Sequence, residues 1–476
     1  MAARSLLLFP ALALASITIE DPSNVISPAS WAADNAIVPD YDIAMVSSQP
    51  SDILATHKVE GKTSSANHVT WSATANDTSV LLVANDASFT GTYMEFDKSG
   101  YSTNLNDASF WGFNAAINVA NASTAVFDNI NVTVHNGAAQ IYSYGTDTVV
   151  NVNNAWLYSS GPVSHGLYAS GNGTIIGRNI DVYSGGKRSS SFSGDSPGGY
   201  IYVYDSVAHA AGIGSATFYA LGEIHATNVV SLSENGPVVF SDGAQTTELV
   251  DCDCTAGLLG GVAMFSSSVI NSGAVLNLTN TKFTTTGSEM PGLWFGNLIA
   301  EAYLDNSQLV TKSGILVVAN YSQITQDFDY YAGYADNSAL SPAQVTISVT
   351  ESDMTGDLVA YNGSSIDWSL AKHSSWTGTA YSGYGDATFG VNLDATSTWT
   401  MTANTVVQNF TDSLTSLKNI HSQGHTLYYN ATVNTWLKGK TVKLPGGGSA
   451  KPITAATSAA GQSRTQVRGG SRSGQN

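Results

Sequence analysis

A short pattern recurs along this chain at intervals of 22 to 29 residues, and this repeat restricts the fold more than any other feature. It consists of an Asn or Asp, two variable residues, and then an apolar or small residue. The nine matches begin at Asp107, Asn129, Asn154, Asn179, Asp205, Asn228, Asp251, Asn280 and Asn306. Flanking stretches such as Thr148–Val152 and Val345–Val349 alternate with period two and are rich in β-branched residues, which is typical of strands.

A period near 25 residues with short strands and Gly/Asn turns predicts an all-β protein. The specific prediction is a single-stranded right-handed parallel β-helix, a solenoid in which stacked coils share one core. A β-propeller needs blades of about 40 residues, and a leucine-rich repeat would show a Leu framework that this chain lacks. We expect the recurring Asn or Asp at a corner of each coil, where the left-handed backbone conformation is tolerated.

The two ends and one long interval predict the domain organisation. Residues 1–15 combine a basic start, an apolar run and small residues near Ala15, which indicates a signal peptide and a location outside the cell or in the secretory lumen. Residues 16–100 are predicted to form an N-terminal cap and the first coils, and residues 101–444 the solenoid. An insertion at 321–343 is expected because the match after Asn306 comes 45 residues later, at Glu351. Residues 445–476 are rich in Gly and Ser, and we expect them to form a flexible basic tail.

Charge and motifs exclude several classes of partner. The formal net charge of −18 argues against binding to a nucleic-acid backbone. No segment after the N-terminal run reaches the roughly 18 apolar residues of a membrane span. The chain contains no His-x-His, no zinc-protease helix motif and no phosphate-binding loop, so we expect no metal and no cofactor. We also expect a monomer.

Two stretches carry a family resemblance. One is His165–Gly173, and the other comprises Asp394–Met401, Gly424–Tyr429, Trp436–Lys440 and Pro445–Gly448. In these stretches the chain resembles secreted right-handed parallel β-helix repeat proteins of bacteria and fungi. The resemblance implies the fold, and it implies an adhesin-like or uncharacterised role. Some fungal β-helix proteins act in secondary metabolism as cyclases, including Diels–Alder-type catalysts, which implies a second class of function.

Polysaccharide lyases and hydrolases also use this fold, but their motifs are incomplete here. A pectin-type hydrolase would show Asn-x-Asp, then Asp-Asp, then His-Gly. In this chain His165-Gly166 precedes Asn179-Ile-Asp181, and no Asp-Asp pair occurs. The Trp-Ile-Asp-His motif of pectate lyases is also missing.

Aromatic residues recur at similar positions in neighbouring repeats. Stacked coils are predicted to align them into one strip that binds a glycan or an apolar small molecule. The residues of this predicted strip are Tyr142, Tyr144, Trp156, Tyr158, Tyr168, Tyr183, Tyr202 and Tyr204. The insertion is predicted to fold over the strip and to contribute Asp327, Asp329, Tyr330 and Tyr331.

Two further features depend on a secretory route. Nine Asn-x-Ser/Thr sites are candidate glycosylation sites, and Asn172, Asn320 and Asn362 are favoured because they lie near predicted loops. The full set is Asn76, Asn121, Asn131, Asn172, Asn277, Asn320, Asn362, Asn409 and Asn430. Cys252 and Cys254 are interpreted as buried small hydrophobic residues, with a strained Cys-x-Cys bridge as the alternative.

The sequence therefore favours a secreted, glycosylated protein that binds a glycan or an apolar molecule on its aromatic residues. A cofactor-free cyclase or isomerase is the enzymatic alternative, since such catalysis can depend on shape and a few hydrogen-bond donors. A polysaccharide lyase or hydrolase is the third hypothesis. No set of catalytic residues is predicted.

Overall fold

The structure is a computed structural model, and it describes residues 53–320 and 341–453 except 136, 138, 196, 258, 259, 268, 289, 362 and 384. The predicted signal peptide therefore lies outside the described residues. So do Asp327, Asp329, Tyr330 and Tyr331 of the insertion and most of the predicted tail.

Strands dominate the described chain, as the period-two alternation predicts. The first strands, around one short helix, are β1 (Ala55–Glu60), β2 (Thr63–Asn67), β3 (Thr70–Ala73), β4 (Ser79–Ala84), β5 (Ser88–Lys98), α1 (Leu105–Trp111), β6 (Ile117–Ala120), β7 (Thr124–Val134), β8 (Ile141–Tyr144), β9 (Val149–Ser159), β10 (Leu167–Ser170), β11 (Thr174–Ser184), β12 (Phe192–Gly194) and β13 (Tyr200–Ala210). The middle strands are β14 (Phe218–Ala220), β15 (Glu223–Ser233), β16 (Val239–Asp242), β17 (Thr246–Val250), β18 (Asp253–Ala256), β19 (Val262–Phe265), β20 (Asn271–Thr279), β21 (Lys282–Thr285), β22 (Leu293–Gly296), β23 (Leu298–Asp305), β24 (Gln308–Thr311), β25 (Ile315–Asn320) and β26 (Gln344–Thr350). The last are β27 (Asp353–Thr355), β28 (Asp357–Ala360), β29 (Ser365–Ala371), β30 (Ser375–Gly378), β31 (Ala380–Ser382), β32 (Thr388–Leu393), β33 (Thr398–Met401), β34 (Thr405–Val407), β35 (Asn409–Asp412), β36 (Ile420–His421), β37 (Thr426–Tyr429), a 3-10 helix at Thr435–Leu437, β38 (Val442–Lys443) and β39 (Ser449–Pro452).

These strands stack in parallel into a β-solenoid of about 15 turns, which confirms the predicted fold class. Short strands form layer A, a sheet of 13 strands in the order β1-β4-β6-β8-β10-β12-β14-β16-β19-β22-β25-β28-β31. The longer strands bend at a corner residue, so each contributes a segment before the corner to layer B and a segment after it to layer C. For example, the first half of β15 pairs with β17 and its second half with β18.

The core is one continuous cluster of buried side chains that runs from Val59 to Ala450. A single coil has too little apolar surface to form it, so stacking is what removes these side chains from water. Trp376 and Trp399 lie in adjacent coils with their rings stacked at 4.8 Å, and their indole nitrogens donate to the carbonyls of Gly356 and Gly378. The C-terminal stretch that carries the family resemblance is thus structural at Trp399.

The predicted corner role of the recurring Asn or Asp is confirmed at eight of the nine matches. From Asn129 to Asn306 these residues have φ between +45° and +57°, the left-handed region. Their amides also form a ladder between coils: Asn154 Nδ2 donates to Asp128 Oδ1 and Asn179 Nδ2 to Asn154 Oδ1, each at 2.8 Å. Glu351 takes the same conformation at φ +51°.

The first match, at Asp107, is wrong as a corner. Asp107 lies in the first turn of α1, where its backbone N–H donates to the side chain of the N-cap residue Asn104. The corner of that coil is instead Tyr93, at φ +52°. An Asn-rich N-terminal turn of a helix resembles the corner pattern in sequence, and only the structure separates the two.

The boundary of the predicted tail is also corrected. Within residues 445–453, β39 pairs in parallel with β37 and in antiparallel fashion with β38. Ala450 is fully buried there. Composition indicated flexibility, but strand pairing with the last coil orders this segment.

Among the described residues, no helix combines the length and apolar character that crossing a membrane requires.

The corner conformation predicts the effect of a substitution. Asn154→Ala should lower the free energy of unfolding by about 2 kcal/mol, because a β-carbon disfavours φ > 0 and the ladder loses two amide contacts. Asn154→Gly should cost less, since glycine keeps the conformation and loses only the contacts. Thermal and urea unfolding of the three proteins would measure this; equal losses for both variants would show that the backbone conformation contributes nothing.

Candidate functional site

The outer face of layer A carries buried aromatic and aliphatic side chains that do not belong to the main core. Buried side chains on this face form clusters separate from the main core, one around Tyr142 and Tyr168 and another around Tyr219, Phe240 and Trp294. We call these five residues the outer aromatic column. The intervening inward residues, such as Leu167 and Phe218, belong to the main core.

The strand register places the column in line. Tyr142 pairs with Tyr168, and Ser193 of the next coil lies between Tyr168 and Tyr219. Tyr219 then pairs with Phe240. The rings of Tyr142 and Tyr168 meet edge to face at 5.0 Å, and those of Tyr219 and Phe240 stack at 5.3 Å. The column therefore consists of two aromatic clusters in line along layer A, and none of its five residues is more than 8% exposed.

Helix α1 fixes one end of the column. Asn104 caps its N-terminus, and Gly112 ends it at φ +69°. A β-carbon at position 112 would approach the Tyr142 ring to 2.3 Å, so this position requires glycine for both conformation and space. The Tyr142 hydroxyl donates to the Ser109 carbonyl at 2.9 Å and lies 2.5 Å from Ser170 Oγ. Burial raises the pKa of Tyr142 well above its usual value.

A histidine lies against the column. The ring centre of His165 is 4.3 Å from that of Tyr168 and 6.2 Å from that of Tyr219, and the residue is 5% exposed. Burial lowers the pKa of His165 to about 3, so the imidazole is neutral at physiological pH. The Ser190 N–H donates to Nδ1 at 3.0 Å. Nε2 therefore carries the proton and is the hydrogen-bond donor of the ring.

A carboxylate completes this group. The Tyr168 hydroxyl donates to Asp195, which is 5% exposed. An imidazole N–H, a phenol and a carboxylate thus lie in a buried aromatic cluster outside the main core. Because the phenol hydrogen is donated to Asp195, the His165 N–H is the donor of this group that can hold or polarise an oxygen atom of an otherwise apolar ligand.

Two of the predicted residues lie on a different face, the outer side of layer B. Tyr202 stacks on His225 with ring centres 5.0 Å apart and planes at 7°. His225 Nδ1 lies 2.8 Å from Glu248 Oε2. The Tyr204 ring lies 4.7 Å below the Arg178 guanidinium. These side chains are partly exposed, and their neighbours are polar or charged.

Three others lie on the outer side of layer C. Trp156, Tyr158 and Tyr183 stack with ring centres 5.7 and 5.3 Å apart, and the Tyr183 ring meets His209 edge-on at 4.9 Å. His209 Nε2 is 2.8 Å from Glu234 Oε1. Tyr158 is fully buried and Tyr183 is 6% exposed.

The structure does not gather the predicted residues into one strip. Tyr142, Tyr144 and Tyr168 lie on layer A, Trp156, Tyr158 and Tyr183 on layer C, and Tyr202 and Tyr204 on layer B. The sequence period placed them in neighbouring coils but did not reveal on which side of each coil they lie. In layers B and C each of these rings contacts another ring, except that of Tyr204, which contacts the Arg178 guanidinium. Sugar stacking uses a free ring face, and this arrangement offers few.

The candidate glycosylation sites differ in accessibility. Asn172, one of the favoured sites, is exposed, as are Asn76, Asn121, Asn131 and Asn409. Asn277 and Asn430 are half-buried. Asn320 is fully buried, so this fold leaves no room for a glycan at a site that the sequence favoured. Asn362 lies outside the described residues.

Cys252 and Cys254 are both buried with free thiols. Cys252 occupies a position that carries a hydroxyl in the following coils: its backbone N–H donates to Thr281 Oγ1, and the Thr281 N–H donates to Ser307 Oγ. A hydrogen bond with Cys252 and burial raise the pKa of Cys254 well above its usual value. This geometry supports the interpretation as small buried side chains.

Several residues of the site were missed from sequence. Tyr219, Phe240 and Trp294 recur near the coil period, but only the register aligns them with Tyr142. In the sequence, His165 belongs to the stretch that carries the resemblance and to a His-Gly pair, and neither indicates its contact with Tyr168.

Gly194–Gly198 matches the Gly-x-Ser-x-Gly pattern. It joins β12 to β13 rather than a strand to a helix, so it lacks the context of a hydrolase nucleophile.

The neutral state of His165 predicts a pH effect. The unfolded chain gains a proton as pH falls through about 6.5, whereas the folded chain does so only near pH 3. His165 therefore leaves stability unchanged above pH 6.5 and lowers it by about 1.4 kcal/mol per pH unit below. His165→Gln should remove this slope, about 2 kcal/mol between pH 6.5 and 4.5. Urea unfolding at both values tests it, with His421→Gln as the exposed control; an unchanged slope in His165→Gln would contradict it.

The cysteine geometry predicts the outcome of thiol labelling. Both thiols should resist iodoacetamide in the folded protein, because they are buried, and both should react after unfolding without reductant. Mass spectrometry of labelled peptides measures this. A pair that labels only after reduction would indicate a Cys252–Cys254 bridge.

Comparison with family models, with curated proteins and with solved structures finds no match for this chain. The resemblance to secreted β-helix repeat proteins thus stays a prediction.

Proposed function

We propose that this protein binds an apolar small molecule carrying at least one oxygen atom, at the outer aromatic column of layer A. The observation that carries the proposal is the group of His165, Tyr168 and Asp195 within an apolar cluster outside the main core. Apolar sites with a few placed polar groups are the usual form of small-molecule sites.

The same geometry favours an apolar ligand over a glycan. Tyr219 is 8% exposed, and Leu221, Tyr361 and Tyr381 are half-buried around the Trp294 cluster, so accessible surface here is mainly apolar. The residues best placed to contact a sugar, Tyr202 and Tyr204, have ring faces occupied by His225 and Arg178.

A binding experiment tests the proposal on the purified full chain. Titration with 2-naphthol and farnesol, followed by tryptophan fluorescence, should give saturable binding, whereas cellohexaose and trigalacturonic acid should give none. Tyr168→Phe removes one hydroxyl and should weaken 2-naphthol binding about tenfold, or about 1.4 kcal/mol.

Tyr202→Phe is the matched control, because it removes one hydroxyl from an exposed face of the same solenoid. Its affinity for 2-naphthol should equal that of the wild type. Oligosaccharide binding that is lost in Tyr202→Ala but retained in Tyr168→Phe would overturn the proposal and place the site on layer B.

A cofactor-free cyclase or isomerase is the second candidate function. The observation that favours it is the neutral His165, whose Nε2–H can donate to a carbonyl beside a phenol and a carboxylate. Rearrangement of an apolar substrate needs no redox partner, and oriented hydrogen-bond donors can supply much of the rate. No observation on the described residues favours a polysaccharide lyase or hydrolase.

Metabolite comparison separates an enzyme from a binding protein. A deletion strain should accumulate an apolar precursor isomeric with a lost product if the protein is a cyclase. Complementation with His165→Gln should then fail, while Tyr202→Phe should restore the product. Unchanged metabolites in the deletion strain would reject the enzymatic candidate and leave the binding proposal standing.

A further inference from the structure

Between β18 and β36, within the described residues, the stack of layer C is interrupted at one place. On one side β18, β21 and β24 pair in succession, and on the other side β27, β30, β33 and β36 do so. Both segments are described, yet no ladder pairing and no backbone hydrogen bond joins β24 to β27. Layers A and B continue across the same coils through β25–β28 and β23–β26.

A change in coil size accounts for the interruption. At the corner the two coils still touch: the Asn306 N–H donates to the Thr350 carbonyl at 2.9 Å, and the Ser307 N–H to Ser352 Oγ at 2.8 Å. Beyond the corner, residues 312–314 connect β24 to β25, whereas residue 356 alone connects β27 to β28. The register of β25 against β28 also shifts between Ile315 and Val317. The two strands therefore separate as they leave the corner.

The separation leaves a cleft of about 420 Å³, lined by residues 306–311, 351–353 and 355. Its rim is acidic, since Glu351 and Asp353 are exposed there. Val310 adds an apolar side chain that is 46% exposed. The Thr311 hydroxyl oxygen is buried without a hydrogen-bond partner among the described residues.

Backbone groups on both sides point into this cleft. Gln308 and Lys312 donate to the β21 side, at the Thr281 and Thr285 carbonyls. Because peptide groups alternate along a strand, both backbone groups of Leu309 and the N–H of Thr311 point the other way, while the Thr311 carbonyl accepts from the Gly314 N–H at 3.4 Å. On the facing strand, the Ser352 carbonyl and the Gly356 N–H bond to the β30 side, so the peptide groups of Asp353 and Thr355 face the cleft.

We propose that this cleft binds an extended, basic segment of a partner protein by strand addition. Unpaired strand edges supply the backbone hydrogen bonds of such recognition, and side chains beside them supply selectivity. The acidic rim and the net charge of −18 favour Lys or Arg in the segment. An apolar residue between the basic ones would contact Val310. This interaction surface is independent of the proposed small-molecule site on layer A.

Fluorescence anisotropy with a fluorescein-labelled acetyl-Lys-Val-Lys-Val-Lys-Val-Lys-amide peptide tests the proposal on the full chain. The peptide should bind saturably and more weakly as salt rises. The same peptide with alternate N-methylated amides should not bind, because it cannot form the strand hydrogen bonds.

Variants of the cleft give the second arm. Thr311→Pro removes one cleft-facing N–H and leaves the bonds to β21 intact, so it should weaken binding about tenfold at an unchanged melting temperature. Glu351→Gln with Asp353→Asn should weaken it about threefold to fivefold and reduce the salt dependence. Asp86→Asn, an exposed change of the same kind in another coil, should have no effect.

Equal binding of the N-methylated peptide would overturn the proposal, since the contact would then be purely electrostatic. The proposal would also be overturned if neither set of cleft variants lowered the affinity for the peptide, or if the folded wild-type protein did not bind the peptide. If Thr311→Pro lowers the melting temperature, the charge variants and the N-methylated peptide test the proposal instead.

Discussion

The structure depends on one geometric constraint, which is that every coil must return to the same position so that its strands lie over those of the coil before. The sharp corner between layers B and C makes this return possible with a single residue at positive φ. Asn and Asp tolerate that conformation, and corner Asn amides donate to the side-chain oxygen of the corner Asn or Asp one coil before. Hydroxyl side chains directly after the corner, such as Thr281 and Ser307, satisfy backbone N–H groups inside the turn. The continuous core follows from this alignment, because register determines which side chains face inward.

Stacking also dictates what an outer face can do. Equivalent positions recur about 4.8 Å apart along the solenoid, so like side chains form ladders. On layers B and C the aromatic rings contact one another, a histidine or an arginine. On layer A the column includes edge-to-face contacts and adjoins His165 and Asp195, which gives this face polar groups within apolar surroundings. That difference in chemistry, rather than the number of aromatic residues, singles out layer A as the candidate small-molecule site.

Departures from the repeat are the second source of specific surface. Helix α1 replaces part of one coil and packs Ser109 against Tyr142 at one end of the column. The coil that carries the insertion changes the turn after layer C, and β24 and β27 lose their pairing there. A regular solenoid has the same surface at every coil, so selective recognition needs such irregularities.

The sequence by itself determined the fold class, because a period near 25 residues with period-two alternation has few other solutions, and it located eight corners because positive φ restricts residue type. It could not separate Asp107 in a helix from an Asn or Asp at a corner, since both use the same local capping chemistry. It also could not exclude Asn320 as a glycan site, because its burial results from packing. Only the tertiary structure decided which aromatic residues share a face, since the side of a coil that a residue occupies depends on turn lengths that differ from coil to coil. For the same reason the sequence did not predict the hydrogen bond between Tyr168 and Asp195, because two residues 27 positions apart meet only when their coils are stacked in register.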